Sequence, residues 1–221
     1  MVISENTLVV DRLTKTYGNL IAVDNVSFCI QPNTCFALLG PNGSGKTSLF
    51  KMLTGELQIV SGCVYINGFD VKNGRTRSFR EFGYCPQANA LLGQLTGHEI
   101  LMMYARLRGI PEKCIEYTSN HLLQLLGIES YRDKKVGGYS GGTKRKLSVA
   151  IALIGSPPIV IMDEPSSGLD PQSRLELWDI IRSIKESGTA VLLTSHSMEE
   201  ANALCDNLAI IVNGRIVCLG G

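Results

Sequence analysis

Apolar residues in this chain come in short continuous runs, each closed by a polar or glycine-rich turn. Cys35–Leu39 (CFALL), Ile159–Met162 (IVIM) and Ala190–Leu193 (AVLL) are three such runs. Runs of this length between turn signals predict strands buried on both faces. Phe82–Cys85 predicts a further core strand, ending at Pro86-Gln87. Elsewhere the pattern alternates. Asn25–Ile30 switches between polar and apolar as a half-buried antiparallel strand does. Leu8–Val10 and Val26–Ile30 are expected strands that bracket Tyr17-Gly18. Cys63–Ile66 and Phe69–Val71 flank Asn67-Gly68, a strong hairpin signal, and Leu208–Val212 and Arg215–Leu219 form a second around Asn213-Gly214.

From Thr96 the pattern becomes helical. Thr96 and Glu99 form a T-x-x-E capping box that opens a helix to about Arg108. Gly109 stops it, and Pro111 restarts helix through Leu126 to Gly127. Leu122, Leu123, Leu125 and Leu126 are expected to pack together as core. The block from about Ala88 to Gly138 therefore predicts a helical insertion in a chain otherwise built of strands and helices. His98 and His121 lie in it without metal-ligand spacing and are expected at the surface. Lys144–Ile154 predicts another helix, with Ser140 as N-cap and Gly155 as its stop. Asp170-Pro171 reads as an N-cap followed by Pro at the first helical position, for a helix to about Glu186 that buries the single Trp, Trp178. Ser197 and Glu200 predict a second capping box.

Composition narrows the class. The 221 residues are 44% apolar, enough for a sizeable core, and the net charge of +1 leaves no electrostatic footprint for nucleic acid. Seven cysteines stand singly, which points to reduced thiols in a cytosolic setting rather than a disulfide framework or a zinc site. No apolar stretch reaches the roughly 18 residues that span a bilayer. Val149–Met162 comes nearest and is broken by Gly155-Ser156-Pro157-Pro158. The N-terminus lacks a signal peptide's basic start and apolar core. The expectation is a soluble chain, or one held to a membrane only through a partner.

The chemistry centres on Gly40–Thr47, GPNGSGKT, which fits G-x-x-x-x-G-K-[ST] at every fixed position. An apolar strand precedes it, and Ser48–Leu53 continue as helix. Gly40, Gly43 and Gly45 let backbone N–H groups turn inward around phosphate oxygens. The helix start adds a positive end, Lys46 reaches the β- and γ-phosphates, and Thr47 offers its hydroxyl to Mg²⁺. Ligands of α/β sheets bind beyond the carboxyl ends of parallel strands. The run Ile159–Met162 delivers Asp163 and Glu164 there, one suited to holding Mg²⁺ and the other to activating water. Gln87 and His196 stand at the ends of two more strands. Gln87 suits Mg²⁺ or the attacking water, and His196 the γ-phosphate. Tyr17 offers a flat face for an adenine ring. Ser140-Gly141-Gly142 at a helix start forms a second anion site, to which Lys144-Arg145-Lys146 would add charge; a basic run on a helix is also a common solvated face.

These stretches together, Tyr17, the P-loop, Gln87, a helical insertion, YSGGT, IVIMDEP, SGLDP and His196, resemble the ATP-binding cassette (ABC) ATPases over essentially the whole chain. The resemblance implies an α/β fold: a P-loop NTPase core of mostly parallel sheet, an antiparallel β lobe and a helical lobe. Core and β lobe would comprise residues 1–87 and 156–221, and the helical lobe about 88–155. Tyr17 would stack on adenine. Gly40, Pro41, Asn42, Gly43, Ser44, Gly45, Lys46, Thr47 and Ser48 would hold the ATP phosphates and Mg²⁺. Gln87 would sense metal and water and couple to the membrane partner. Asp163 would help bind Mg²⁺, Glu164 would be the general base, and His196 would contact the γ-phosphate. Ser140, Gly141 and Gly142 would act in trans on ATP held by a second cassette in a head-to-tail dimer, with Asp170 in the loop between the two sites.

GYCPQ, LRGIPEK, YSGGTKRKLS, ALIGSPP and LTSHSMEEANALC are similar to subfamily A of the eukaryotic transporters, and SHSMEE and IVNGRIVCLG to its second, C-terminal cassette. That resemblance implies transmembrane domains outside this chain, a lipid substrate handled by them, and a place at the cytosolic face of a membrane. Thr143 departs from the family, whose signature has Gln at this position and Asn in subfamily A. The chain also stops at Gly220-Gly221 where the family continues, which implies a piece of a longer polypeptide. The alternatives are a soluble ABC ATPase without a transport role, for which coiled coils or basic linkers would be needed, and a regulatory cassette that binds ATP with little turnover.

Overall fold

A computed structural model describes residues 5–73 and 75–221. Its elements in order are β1 (Leu8–Tyr17), β2 (Leu20–Ile30), β3 (Cys35–Leu39), α1 (Lys46–Leu53), β4 (Ser61–Ile66), β5 (Phe69–Asp70), α2 (Arg75–Ser78), β6 (Phe82–Cys85), α3 (Gly97–Leu107), α4 (Glu112–Leu125), α5 (Gly141–Leu153), β7 (Ile159–Asp163), α6 (Pro171–Glu186), β8 (Ala190–Ser195), α7 (Met198–Leu204), β9 (Asn207–Val212) and β10 (Arg215–Gly220). The fold is mixed α/β, with a P-loop core, an antiparallel β lobe and a helical lobe.

The continuous apolar runs form the centre of a sheet ordered β10-β9-β3-β8-β7-β6, parallel throughout except at β10. Period-two alternation sends their side chains to two cores. Ala37, Val160, Met162, Val191 and Leu193 meet the helices α3 to α7 on one face. Phe36, Leu38, Ile161 and Leu192 pack on the other face with Leu49, Phe50 and Leu53 of α1. The second sheet, β2-β1-β4-β5, is antiparallel and closes over that core. Phe28 and Phe36 stack across the two sheets with ring centroids 5.1 Å apart.

Both Asn-Gly turns are as predicted. Asn67 and Gly68 have φ of 47° and 81°, and Asn213 and Gly214 have φ of 48° and 78°, the paired positive φ that such hairpins need. The capping box is complete at α3: Thr96 accepts from the Glu99 amide, and Glu99 accepts from the Thr96 amide. At α7 only half of one exists. Ser197 accepts from the Glu200 amide, but the Glu200 side chain turns into the core instead. Asp170 caps α6 through the Ser173 amide, and Trp178 is buried.

Several expectations need correction. β1 and β2 are far longer than predicted, because bulges interrupt the alternation: Arg12 and Asn25 take positive φ, and the register shifts between Val10 and Leu13 and again around Lys15. α2 went unforeseen. Leu125 is exposed, since it falls on the outer side of α4 from Leu122 and Leu123. His98 is not a surface residue. Its side chain is 12% exposed and joins two helices, with Nδ1 hydrogen-bonded to Ser119 and Nε2 3.0 Å from Glu116. His121 is exposed and stacks on Tyr117.

The sheet and helical lobe meet without clearance at Gly83. A Cβ built there would lie 1.9 Å from the carbonyl oxygen of Ala152 in α5. Gly83→Ala should therefore destabilise the fold by about 1–3 kcal/mol, as overpacked cores do. A thermal midpoint within a degree of the parent's would show that the two elements part easily.

Candidate active site

Parallel register determines where the site lies. Leu39 pairs with Ser195, Asp163 with Thr194, and Cys85 with Met162. The chain therefore leaves β3, β8, β7 and β6 along one edge, and four loops start side by side. They carry Gly40–Gly45, His196, Glu164 and Gln87.

A cavity of about 840 Å³ opens there. Asn42, Gly43, Gly45, Lys46, Thr47 and Ser48 form one wall, Tyr17 another, and Gln87, Glu164 and His196 face them. Gly45 stands where no other residue fits: its φ is 105°, and a Cβ would sit 2.2 Å from the Ala22 carbonyl oxygen. The Lys46 ammonium is bonded to the carbonyls of Gly40 and Pro41 at 2.6 and 3.0 Å. Burial lowers its pKa from the ordinary lysine range, while the Glu164 and Asp163 carboxylates act against that shift. The buried Ser44 hydroxyl has no hydrogen-bond partner among the described residues. Tyr17 ends β1 half-exposed, its hydroxyl 3.5 Å from that of Ser48 and Lys15 over its ring.

The acidic pair is held by one hydroxyl. Thr194 donates to Asp163 Oδ1 at 2.6 Å and accepts the Glu164 amide at 2.9 Å. Asp163 is buried, and Glu164 sits at φ 43°, a backbone conformation that side-chain-bearing residues seldom adopt. Gln87 Nε2 donates to Glu164 Oε2 at 2.9 Å, and His196 Nδ1 lies 3.8 Å from the same oxygen. Two side chains predicted from other strands, Gln87 and His196, thus meet the Glu164 carboxylate.

Ser140, Gly141 and Gly142 do not line this cavity. They form the start of α5, where Ser140 accepts the Thr143 amide at 3.1 Å, and Ser140 and Gly141 are exposed. Tyr139 is buried, and its hydroxyl donates to the Tyr131 carbonyl. Leu20, Ala22 and Ser167 line the cavity although nothing in their sequence context marks them.

Two buried ionisable side chains also escaped prediction. Arg145 does not add charge to a surface: it is 3% exposed and donates to four backbone carbonyls, because α5 turns this position towards the sheet edge. Glu200 accepts from the Trp178 indole at 3.1 Å and from Ser195 at 2.7 Å. Ser195 in turn accepts the Ser197 amide, so this network fixes the backbone on both sides of His196.

Comparison with known proteins places this geometry in a family. Residues 23–167 match the family described as ABC transporter. The chain is 49% identical over 219 residues to the phospholipid-transporting ATPase ABCA3 of Rattus norvegicus, covering 98% of this chain and 13% of that protein. It is 50% identical over 212 residues to the retinal-specific phospholipid-transporting ATPase ABCA4 of Bos taurus, covering 95% of this chain and 9% of that one. The chain thus spans a small part of these relatives. Among solved structures, the ATP-binding subunit of an ABC transporter superposes with a TM-score of 0.87 at 30% identity, covering 97% of this chain and 89% of that one. An ATP-binding cassette in its ADP conformation gives 0.89 at 26% identity, with 97% and 91% covered. With the family pattern over most of the chain and the matching fold throughout, this chain belongs to the ABC transporter family as an ATP-binding domain.

Proposed function

We propose that this chain binds ATP with Mg²⁺ and hydrolyses it to drive transport by a membrane protein. One observation carries the reading: Lys46, Gln87, Glu164 and His196 converge on a single P-loop cavity. Its volume, about 840 Å³, falls in the usual range for small-molecule sites.

The chemistry follows from the groups present. ATP enters with its phosphates against the backbone amides of Gly40–Thr47 and the start of α1, and Tyr17 takes the adenine. Lys46 moves its ammonium from the Gly40 and Pro41 carbonyls to the phosphate oxygens. The hydroxyl of Thr47, the carboxylate of Asp163 and the amide oxygen of Gln87 are hard oxygen donors of the kind that Mg²⁺ accepts. When bound, Mg²⁺ neutralises charge on the phosphate oxygens. Glu164 accepts a proton from water aimed in line at the γ-phosphate, Gln87 steadies that carboxylate, and His196 faces the γ-phosphoryl group as it passes to the water and its bond to the departing ADP breaks. Positioning and charge stabilisation provide most of the rate in such reactions.

Ser140–Gly142 lie outside the chain's own cavity, which supports their serving ATP on a second cassette, head to tail. We take residues 1–221 as one ABC ATPase domain, with the helical lobe at about 88–155. No helix among the described residues is long and apolar enough to cross a membrane. The transmembrane domains would therefore lie elsewhere, with this cassette on the cytosolic face. The relatives named phospholipid-transporting ATPases support subfamily A and a lipid substrate. The wording near the end of the chain supports its second cassette.

Glu164→Gln should retain ATP binding and lower turnover by about 10²–10⁴-fold, the usual worth of a general base. Unchanged hydrolysis would sink that role. Thr194→Val leaves the Glu164 amide unpaired, and should cost about 1–3 kcal/mol of stability as well as activity. Equal denaturation midpoints would remove Thr194 from the site's support. Immunoblotting after membrane fractionation tests the transport setting. A band many times larger than the 24.0 kDa of this chain, still on membranes after a high-salt wash, is expected. A soluble band near 24.0 kDa would overturn the lipid assignment.

A further inference from the structure

Arg145 is a buried cation whose hydrogen bonds all go to the backbone. Its Nε donates to the Pro165 carbonyl at 2.7 Å and its Nη2 to Asp163 at 3.0 Å. Nη1 donates to the carbonyls of Pro86 and Gln87. Four of the five guanidinium N–H groups are thus engaged. Among the described residues no carboxylate lies within ion-pair distance of it. Keeping a charge buried against carbonyls alone is unfavourable, and packing by itself would be served as well by an apolar side chain.

The four carbonyls are specific. Pro86 and Gln87 form the loop that carries the Gln87 side chain, and Asp163 and Pro165 flank Glu164. One planar group therefore fixes the main chain beneath both partners of the 2.9 Å bond between Gln87 and Glu164. Glu164, at φ 43°, needs such support, because a strained backbone persists only where its surroundings over-determine it. Arg145 also stands one turn into the helix that begins at Ser140.

We propose that Arg145 is a positioning residue for ATP hydrolysis. It holds Gln87 and Glu164 in working register and joins both loops to the signature helix. This rests on Glu164 being the general base. A lysine keeps the charge but cannot bond four carbonyls from one plane.

The test is turnover against ATP concentration in the intact protein, for Arg145→Lys, Arg145→Gln, Glu164→Gln and the Lys and Gln changes at 145 and 164 combined. Nucleotide affinity is measured alongside by titration with a fluorescent ATP analogue. Arg145→Lys should lower kcat about 10- to 100-fold, the scale of a small misplacement. KM and nucleotide affinity should stay within about twofold, since ground-state binding is untouched. Added to Glu164→Gln, the change should lower residual turnover no further, because both act through one group. A kcat within about twofold of the parent, a matching loss of affinity, or an additive loss in the double variant would each overturn the proposal. So would failure of both Arg145 variants to fold, which assigns the guanidinium to stability. Normal turnover in Glu164→Gln would remove the general base itself. A dead Glu164→Gln beside a normal Arg145→Lys would remove only the role given to Arg145.

Discussion

The site depends on the parallel ladder that joins β3, β8, β7 and β6. Parallel pairing with aligned ends is what makes four separate loops begin at one edge. Cys85, Leu39, Asp163 and Ser195 are the last residues of their strands, and each is paired near its neighbour's last residue. A slip of one residue would exchange the two faces of a strand. In β7 it would bring Ile161 to the helical side and turn Asp163 away from Thr194. The burial of all five β7 residues is therefore a positional constraint as well as a source of stability.

The loops are then secured by groups distant in sequence. The P-loop is braced from behind by the closing hairpin: the Gly214 amide donates to the Ser44 carbonyl, and the Asp24 amide to the Gly214 carbonyl, at 2.9 and 2.8 Å. Gly45 packs against Ala22 and Gly214. The turn at Asn213-Gly214, at the far end of the chain, thus supports the phosphate loop from its outer side. The acidic pair has the Thr194 hydroxyl, and the loop of His196 has the buried Glu200. These supports, the backbone of Gly214 and the side chains of Thr194 and Glu200, stand outside the lining of the P-loop cavity. Such groups let a surface edge keep its geometry, because an unpaired buried polar atom costs more than a made bond returns.

That division explains what was legible in the sequence. Strands buried on both faces are continuous apolar runs, so Cys35–Leu39, Ile159–Met162 and Ala190–Leu193 could be read directly. The P-loop was readable because it combines glycines, a lysine and a threonine in a fixed spacing, and Asp163-Glu164 because they close such a run. The convergence of Gln87, Glu164 and His196 needed the strand ends to be taken as neighbours, which holds for a parallel sheet. Supporting residues carry no comparable mark. Arg145 sits between two lysines and looks like part of a solvated stripe, although α5 buries it against the sheet edge. Glu200 fits a capping box in sequence, yet its carboxylate belongs to Trp178 and Ser195. In β1 and β2 the bulges at Arg12 and Asn25 break the period of two, so most of β1 and about half of β2 were invisible to any reading that relied on alternation.

Thr143 shows how a departure from a family pattern can be absorbed locally. A side chain shorter than Gln or Asn would be expected to leave the trans contact incomplete. The hydroxyl instead turns inward, 2.8 Å from that of Ser140, and the residue is 8% exposed. Ser140 Oγ also accepts the Thr143 amide. A serine oxygen that already accepts one bond as an N-cap has its own O–H free to donate, either to Thr143 or outward. Where Thr143 donates, the serine oxygen accepts twice and its own proton points away from the helix; where Ser140 donates, the two hydroxyls close on each other. In either arrangement the polar group at position 143 is satisfied within its own helix start, and the atom it bears on is Ser140 Oγ.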